Sequence, residues 1–253
     1  MLKIAQFRNK VRSHGLPLAL RYSAEFMLRP LWRTVWAEPF RKTYSQRGED
    51  LIIDEVLGMK ETGTYLDVGA YEPHHLSNTK RFYDRGWRGC NVEPNPERFK
   101  KLLQGRPRDT NLNIGLSDSV GTLTYYQFIP EVFSTFSAER AKALSQMGAR
   151  IKAEIEVPVI TMKDLFAQYF NEETVDICTI DAEGMDSVIL RGNDWDRFRP
   201  RVICIEATLA QVHQSGSDPG ESIESLLTKV GYIQHSVTRQ YGVPLNEIYV
   251  SRV

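Results

Sequence analysis

Short apolar runs alternate with helix-like segments along most of this 253-residue chain. Several of the runs end in an acid or a glycine, and turn residues separate them from the segments that follow. This alternation predicts an α/β fold with a mainly parallel sheet and helices on both faces, because parallel neighbours need a crossover connection. The predicted strands span residues 64–68, 89–92, 111–116, 155–160, 175–180, 201–205, 232–237 and 247–250.

We expect the last two strands to pair antiparallel at one edge of the sheet. Residues 122–128 alternate like one arm of a hairpin. The less regular stretch 132–150 is expected to form a mobile helical lid and to carry the specificity for an acceptor molecule. Helices are predicted over residues 51–57, 77–84, 97–103, 162–169, 185–190 and 221–229.

The formal net charge of zero hides an uneven distribution. Residues 1–47 carry ten Lys or Arg and two acids, whereas residues 48–253 carry 22 Lys or Arg and 30 acids. A nucleic acid backbone requires a positive surface, so the acidic body is a poor candidate for binding nucleic acid. We therefore expect a basic helical extension over residues 1–43 and one α/β domain over residues 44–253.

The basic extension is amphipathic between residues 18 and 36, where arginines are mixed with leucines and two tryptophans. One interpretation is a surface that makes peripheral contact with a membrane of anionic lipid. The other is a helix packed on the body with its arginines facing water. The sequence shows neither a bilayer-spanning apolar run nor a signal-peptide core, and its three cysteines lie in predicted buried strands. These features favour a cytoplasmic location.

In open α/β sheets, ligands bind beyond the carboxyl ends of the strands. A carboxylate at Glu93, after the second strand, can accept hydrogen bonds from both ribose hydroxyls of a nucleoside. After the third strand, Asp118 with Ser117 is placed to meet an adenine amino group. The polar residues that follow the predicted strands are Asp67, Glu93, Ser117, Asp118, Asp181 and Glu206.

The turn after the first strand separates two kinds of nucleoside cofactor. A dinucleotide carries a pyrophosphate, which favours a G-x-G-x-x-G turn. Here the turn has the single glycine Gly69, and Glu72 beside it would repel phosphate. S-adenosylmethionine has no phosphate, and its ammonium and sulfonium are positive groups that suit nearby acids. The residues favour S-adenosylmethionine, and a dinucleotide-dependent oxidoreductase is the alternative.

Several short stretches between residues 44 and 210 occur in a fixed order and together carry a family resemblance. The chain resembles the FkbM family of methyltransferases. The resemblance implies a Rossmann-like methyltransferase fold with a mostly parallel seven-stranded sheet, use of S-adenosylmethionine, and O-methylation of a hydroxyl on a sugar, glycan or related metabolite. The stretches are SQRGED (45–50), LDVGA (66–70), SNT (77–79), GWRG (86–89), VEPNP (92–96), DAEG (181–184) and RP (199–200).

The resemblance places Asp67, Gly69, Glu93 and Asp181 around the methyl donor. Relatives often carry Asn after the Gly–Ala pair, where this chain has Tyr71, so the contact at that point is expected to differ. The basic extension lies outside the resemblance. The predicted donor-binding residues are Asp67, Gly69, Ala70, Tyr71, Glu93, Pro94, Ser117, Asp118 and Asp181.

Methyl transfer to a hydroxyl needs a base within hydrogen-bond reach, because a protonated sugar hydroxyl is a poor nucleophile. We predict Asp181, Glu206 or His213 for this role, and Glu183 and His75 are further candidates. A divalent metal held by Asp181 and Glu206 would polarise the acceptor, yet two oxygens are too few to define a hard-cation site. A non-catalytic binding protein that kept the fold is the remaining alternative.

Overall fold

The computed structural model describes residues 42–170, 174–207 and 221–252. Residues 1–41 of the predicted extension and the predicted base His213 lie outside these ranges. None of the helices in the described ranges is long and apolar enough to cross a membrane. They are α1 (Glu49–Val56), α2 (Lys80–Arg85), α3 (Pro96–Gly105), α4 (Ala138–Gln146), α5 (Met162–Tyr169), α6 (Asp186–Arg191) and α7 (Ile223–Lys229).

The main sheet has seven strands in the order β3-β2-β1-β7-β8-β10-β9. The first five of these run parallel, and β10 pairs antiparallel with both β8 and β9. The predicted parallel sheet with an antiparallel edge hairpin is therefore confirmed. The strands are β1 (Thr64–Val68), β2 (Arg88–Val92), β3 (Thr110–Leu112), β4 (Gly115–Ser117), β5 (Gly121–Ile129), β6 (Arg150–Thr161), β7 (Ile177–Ile180), β8 (Val202–Glu206), β9 (Tyr232–Gln240) and β10 (Val243–Ser251).

The direction in which the chain builds this sheet reverses between β1 and β7. From β1 the chain adds strands outward to β3. After β7, on the other side of β1, it adds β8 and then the β9–β10 hairpin, in which β10 lies next to β8 and β9 forms the edge. At such a switch point the two connections leave in opposite directions and open a crevice beyond the carboxyl ends of the strands. The turns after β1 and β7, which contain Gly69 and Asp181, border this crevice.

The predicted third strand, residues 111–116, is wrong in its extent. Only β3 joins the main sheet, whereas β4 pairs with β6 in a second sheet of order β4-β6-β5. The amide of Asn113 donates to the backbone carbonyls of Glu93 and Pro94 at 2.8 and 3.0 Å, and this ends the pairing with β2. The predicted strand 155–160 likewise belongs to β6 in the second sheet. The sequence pattern of a strand does not reveal which sheet the strand joins.

Side-chain alternation along the strands fills both faces of the main sheet. Leu66 and Val68 of β1 face a core shared with α5, α6 and α7. Tyr65, which precedes Leu66 and points to the opposite face, faces the core shared with α1 and α2. Asp67 has the parity of Tyr65, so it lies on the α1–α2 face. The three cysteines are free and buried in strands, as predicted.

Residues 130–149, which we call the lid segment, connect β5 to β6. They contain a 3-10 turn (Glu131–Phe133) followed by α4. Phe133, Ala141 and Leu144 pack with Phe128 of β5 in a small apolar cluster of their own. The predicted helical character of this region is confirmed, and its mobility stays a prediction.

We expect Gly69→Ala to destabilise the fold more than a turn glycine normally would. Gly69 has a φ of 75°, and a Cβ there would lie 2.0 Å from the carbonyl oxygen of Asp181. Gly58 is a matched control, since its φ is 63° and a Cβ there meets nothing within 4 Å. Gly58→Ala should cost about 1–2 kcal/mol for the left-handed backbone alone. Gly69→Ala should cost a further ~1–3 kcal/mol for the clash.

Urea unfolding of the wild type and the two variants measures this difference. Equal losses in the two variants would contradict the close approach of β1 and β7.

Candidate active site

The turn after β7 is stabilised by a buried acid that the sequence analysis did not single out. The carboxylate of Asp186, at the start of α6, accepts the backbone N–H groups of Ala182 and Gly184, both at 3.2 Å. Asp181 is therefore not needed to satisfy these groups, and its carboxyl group is left for other contacts. The sequence signal that could have identified Asp186 is an acid in the first turn of the predicted helix 185–190.

Three carboxyl groups, which we call the acid cluster, meet beyond the ends of β7 and β8. One carboxylate oxygen from each of Asp181, Glu183 and Glu206 lies within 4.8 Å of the others. Oδ1 of Asp181 is shielded from solvent and has no hydrogen-bond partner among the described residues. Because a shielded polar atom without a partner costs folding free energy, this oxygen marks a place for a ligand. The structure thus brings the predicted pair Asp181 and Glu206 together and adds Glu183.

Burial raises the pKa of each acid in the cluster. It raises the pKa of Glu183 to about 7. For Asp181 and Glu206, burial is the main cause and the neighbouring carboxylates add to it, so that both pKa values lie well above their usual range. Carboxyl groups tuned in this way can accept a proton near neutral pH, which is what a general base must do.

One arginine of the lid segment faces the acid cluster. Arg140 on α4 forms an ion pair with Glu183. Burial alone would lower the pKa of Arg140, but the carboxylates of Glu183, Glu206 and Asp181 raise it. In addition, the hydroxyl of Thr135 donates to the backbone carbonyl of Glu183 at 2.8 Å. The lid segment is therefore attached to the turn after β7 at two points.

Asp67 belongs to a buried network that fixes the segment between β1 and α2. Its Oδ2 accepts a hydrogen bond from the hydroxyl of Thr79 at 2.6 Å. Burial raises the pKa of Asp67 to about 6. The fully buried Arg106 donates to the hydroxyls of Thr79 and Ser77 and to the backbone carbonyl of Pro73. The position of Asp67 thus depends on residues up to the end of α3.

Glu93 lies at the end of β2 beside the turn that follows β1. Its Oε2 accepts the backbone N–H of Tyr71, and its Oε1 accepts the backbone N–H of Asn95, both at 2.8 Å. Each carboxylate oxygen has a second lone pair, so Glu93 can still accept a ribose hydroxyl. Burial raises the pKa of Glu93 to about 7. Ala70 and Pro94 are also predicted to bind the donor. Ala70 precedes Tyr71 in the chain, and Pro94 follows Glu93.

Tyr71 connects the turn after β1 to the lid segment. The guanidinium of Arg98 lies 4.1 Å from the centroid of the Tyr71 ring and donates to its hydroxyl at 3.0 Å. Arg98 also pairs with Glu72 and with Glu131 of the lid segment, and Lys101 pairs with Glu72 at 2.9 Å. Because two cations offset the charge of Glu72, the single glycine of the turn is what disfavours a pyrophosphate.

Ser117 and Asp118 lie at the end of β4, which runs parallel to β6 in the second sheet and is not part of the main sheet. Asp118 is exposed and accepts hydrogen bonds from the hydroxyls of Ser117 and Ser119 at 3.4 and 3.2 Å. The residue that follows β3 and contacts the Glu93 backbone is Asn113. An adenine contact through Ser117 and Asp118 stays a prediction, and Asn113 is a candidate that the apolar pattern concealed.

The carboxylate oxygens at this crevice fit a cationic ligand. The positive groups of S-adenosylmethionine would find the shielded Oδ1 of Asp181 and the carboxylates of Glu183 and Glu206. A divalent cation would meet the same three carboxylates, one more than the predicted pair of Asp181 and Glu206. Magnesium and calcium normally take six or more oxygen ligands, water included.

The histidines near β1 lie elsewhere on the surface. His74 and His75 are exposed and line a cavity of about 300 Å³ together with Lys42, Tyr44 and Lys80. No member of the acid cluster lines this cavity. The structure therefore does not bring His75, a further candidate base, to the predicted strand-end acids.

Comparison with protein families gives one match. A family model described as the methyltransferase FkbM domain matches residues 67–233. The matched range includes the turn after β1, Glu93, the lid segment and the acid cluster. No curated protein matches the sequence significantly.

Solved structures resemble this chain at low sequence identity. A TehB-like SAM-dependent methyltransferase from Corynebacterium glutamicum is 13% identical, and the match covers 91% of this chain and 99% of that one with a TM-score of 0.40. An O-methyltransferase from Bacillus cereus in complex with SAH is 11% identical, with 96% of both chains covered and a TM-score of 0.41. A precorrin-6Y C5,15-methyltransferase from Geobacter metallireducens is 12% identical, with 84% and 92% covered and a TM-score of 0.39.

The buried carboxyl of Glu93 should make the protein less stable as the pH rises. Its pKa rises from 4.5 to about 7 on folding. Its contribution to stability is therefore fully present below pH 4.5 and is lost as the pH rises from there through 7. The isosteric variant Glu93→Gln cannot ionise. Between pH 5 and pH 8 the wild type should lose about 2–3 kcal/mol more unfolding free energy than this variant.

Urea titrations of both proteins at the two pH values give this difference. A difference below about 0.5 kcal/mol, within the usual spread of surface substitutions, would mean that Glu93 is not buried as described.

Proposed function

The chain belongs to the FkbM methyltransferase family, and on that premise we propose that it transfers a methyl group from S-adenosylmethionine to a hydroxyl of a sugar, a glycan or a related metabolite. The observation that carries the proposal is the shielded, unpartnered Oδ1 of Asp181 within the acid cluster. This oxygen lies at the switch point between β1 and β7, where ligands of such sheets bind.

The residues at the crevice support a donor that has a nucleoside and a positive charge but no phosphate. Glu93 offers acceptor lone pairs for ribose hydroxyls, and Tyr71 holds it beside the turn after β1. The turn has one glycine, too few for the usual pyrophosphate turn. Asp181 and Glu183 offer negative charge on the β7 side of the crevice. The two sides together suit S-adenosylmethionine.

When bound, the donor supplies a methyl group carried on a sulfonium, and a neutral thioether remains after transfer. The protein must then hold the acceptor hydroxyl in line with that methyl group, and alignment of this kind can supply on the order of 7–11 kcal/mol. The lid segment, attached to both sides of the crevice through Glu131 and Arg140, is placed to exclude water and to select the acceptor.

The acid cluster supplies the candidates for the base that takes the hydroxyl proton. Asp181 and Glu206 stay our predicted bases, and Glu183, whose pKa burial raises to about 7, lies with them. A carboxylate with such a pKa accepts a proton more readily near pH 7 than an ordinary one does, because its conjugate acid is weaker. His213 stays a predicted alternative.

Titration calorimetry with S-adenosylmethionine tests the donor. We expect wild-type protein to bind it and Glu93→Gln to bind it at least tenfold more weakly, since a hydrogen bond to a charged acceptor contributes about 1.5–3 kcal/mol. Glu97→Gln is the matched control, because Glu97 is an exposed acid four residues further along the chain. We expect the control to bind like the wild type. Equal binding by all three proteins would refute the role of Glu93, and no binding by any would refute the donor.

Transfer of labelled methyl groups tests the acceptor. Incubation with a purified glycan fraction should give label that is stable to base, as an ether is, and Asp181→Asn should lower the initial rate at least 100-fold by removing a strand-end carboxylate. Asp196→Asn, at an exposed position, serves as the control. Donor binding without any transfer to glycans would overturn the acceptor class and leave the donor assignment standing.

A further inference from the structure

Arg140 makes an incomplete contact with the acid cluster. One nitrogen of its guanidinium, Nη2, pairs with the carboxylate of Glu183. Its Nε is shielded from solvent and has no hydrogen-bond partner among the described residues. Arg106 and Arg98 differ in this respect, because the Nε of each donates to an oxygen, at 2.7 and 2.6 Å respectively. Arg140 is thus held mainly by charge, in a place where its donors are not all satisfied.

The charge around Arg140 is strongly unbalanced. Its guanidinium faces the carboxyl groups of Asp181, Glu183 and Glu206, and Asp186 adds a fourth. Carboxyl groups this close together repel one another when they ionise, so a further positive charge that reaches the site would favour their ionised forms.

The lid segment has other attachments that do not involve the Arg140 side chain. The hydroxyl of Thr135 donates to the backbone carbonyl of Glu183, and Glu131 pairs with Arg98 on the other side of the crevice. Apolar packing of Leu144 and Ala141 holds α4 in addition. The Arg140 side chain can therefore withdraw from the cluster while the lid segment stays in place.

We propose that Arg140 competes with the positive sulfonium of the donor for the acid cluster and so sets the preference of the site between the charged donor and its neutral product. This inference rests on the proposed function. S-adenosylmethionine and S-adenosylhomocysteine differ by one methyl group and one positive charge. With the neutral product bound, Arg140 keeps its place beside Glu183. With the charged donor bound, it must give up that place or face a like charge.

The test compares the Kd values of S-adenosylmethionine and S-adenosylhomocysteine, measured by titration calorimetry on the full chain. In Arg140→Met the competing charge is gone, so the ratio of product Kd to donor Kd should rise at least fivefold over the wild type. Arg140→Lys keeps the charge and should stay within twofold of the wild-type ratio. Lys142→Met removes a cation from an exposed position on the same helix and should also leave the ratio unchanged.

Two results would overturn the inference. An unchanged ratio in Arg140→Met, with its thermal melting transition intact, would show that Arg140 does not compete with the sulfonium. An equal weakening of both ligands would mean that Arg140 instead binds a group they share, such as the donor carboxylate. Absence of binding of either ligand to the wild type is a different result, which removes the proposed donor and this inference with it.

Discussion

The close approach of β1 and β7 is the constraint on which the site depends. The backbone N–H of Asp181 donates to the carbonyl of Val68, and the carbonyl of Asp181 occupies the space that a side chain on Gly69 would fill. The carboxyl ends of parallel strands lie at the same edge of a sheet. This contact therefore brings the turn after β1, which Glu93 contacts, and the turn after β7, which carries Asp181 and Glu183, to one crevice. A glycine at this point serves strand packing first, and any contact with a ligand depends on that packing.

Buried carboxyl groups are the second feature of the crevice, and each is held in a different way. Asp67 receives a hydroxyl from Thr79, Glu93 receives two backbone N–H groups, and Glu183 pairs with Arg140. Oδ1 of Asp181 has no partner among the described residues. Asp67 acts as a structural support, whereas at the unpartnered oxygen of Asp181 the fold bears a cost that a cationic ligand would relieve.

The parallel sheet and the strand-end acids could be predicted from the sequence, because β-α alternation and acids after apolar runs are local patterns. The second sheet could not, since residues 111–116 alternate like a single strand, whereas the chain divides at Asn113 between two sheets. The arginines were missed for a similar reason. Arg98 and Arg140 lie on short polar helices, and only the tertiary fold shows that they reach Tyr71 and Glu183.

Tyr71, at the position where the family resemblance leads one to expect Asn, has a physical explanation in these contacts. Its φ of 51° is left-handed, a conformation that Asn adopts readily and a bulky side chain does not. The strain is compensated because the Tyr71 N–H donates to Glu93 and its ring stacks on Arg98. Arg98 in turn pairs with Glu131 of the lid segment. A tyrosine here therefore links Glu93 to the lid segment: its backbone N–H donates to the carboxylate, and its ring and hydroxyl contact the arginine that pairs with Glu131.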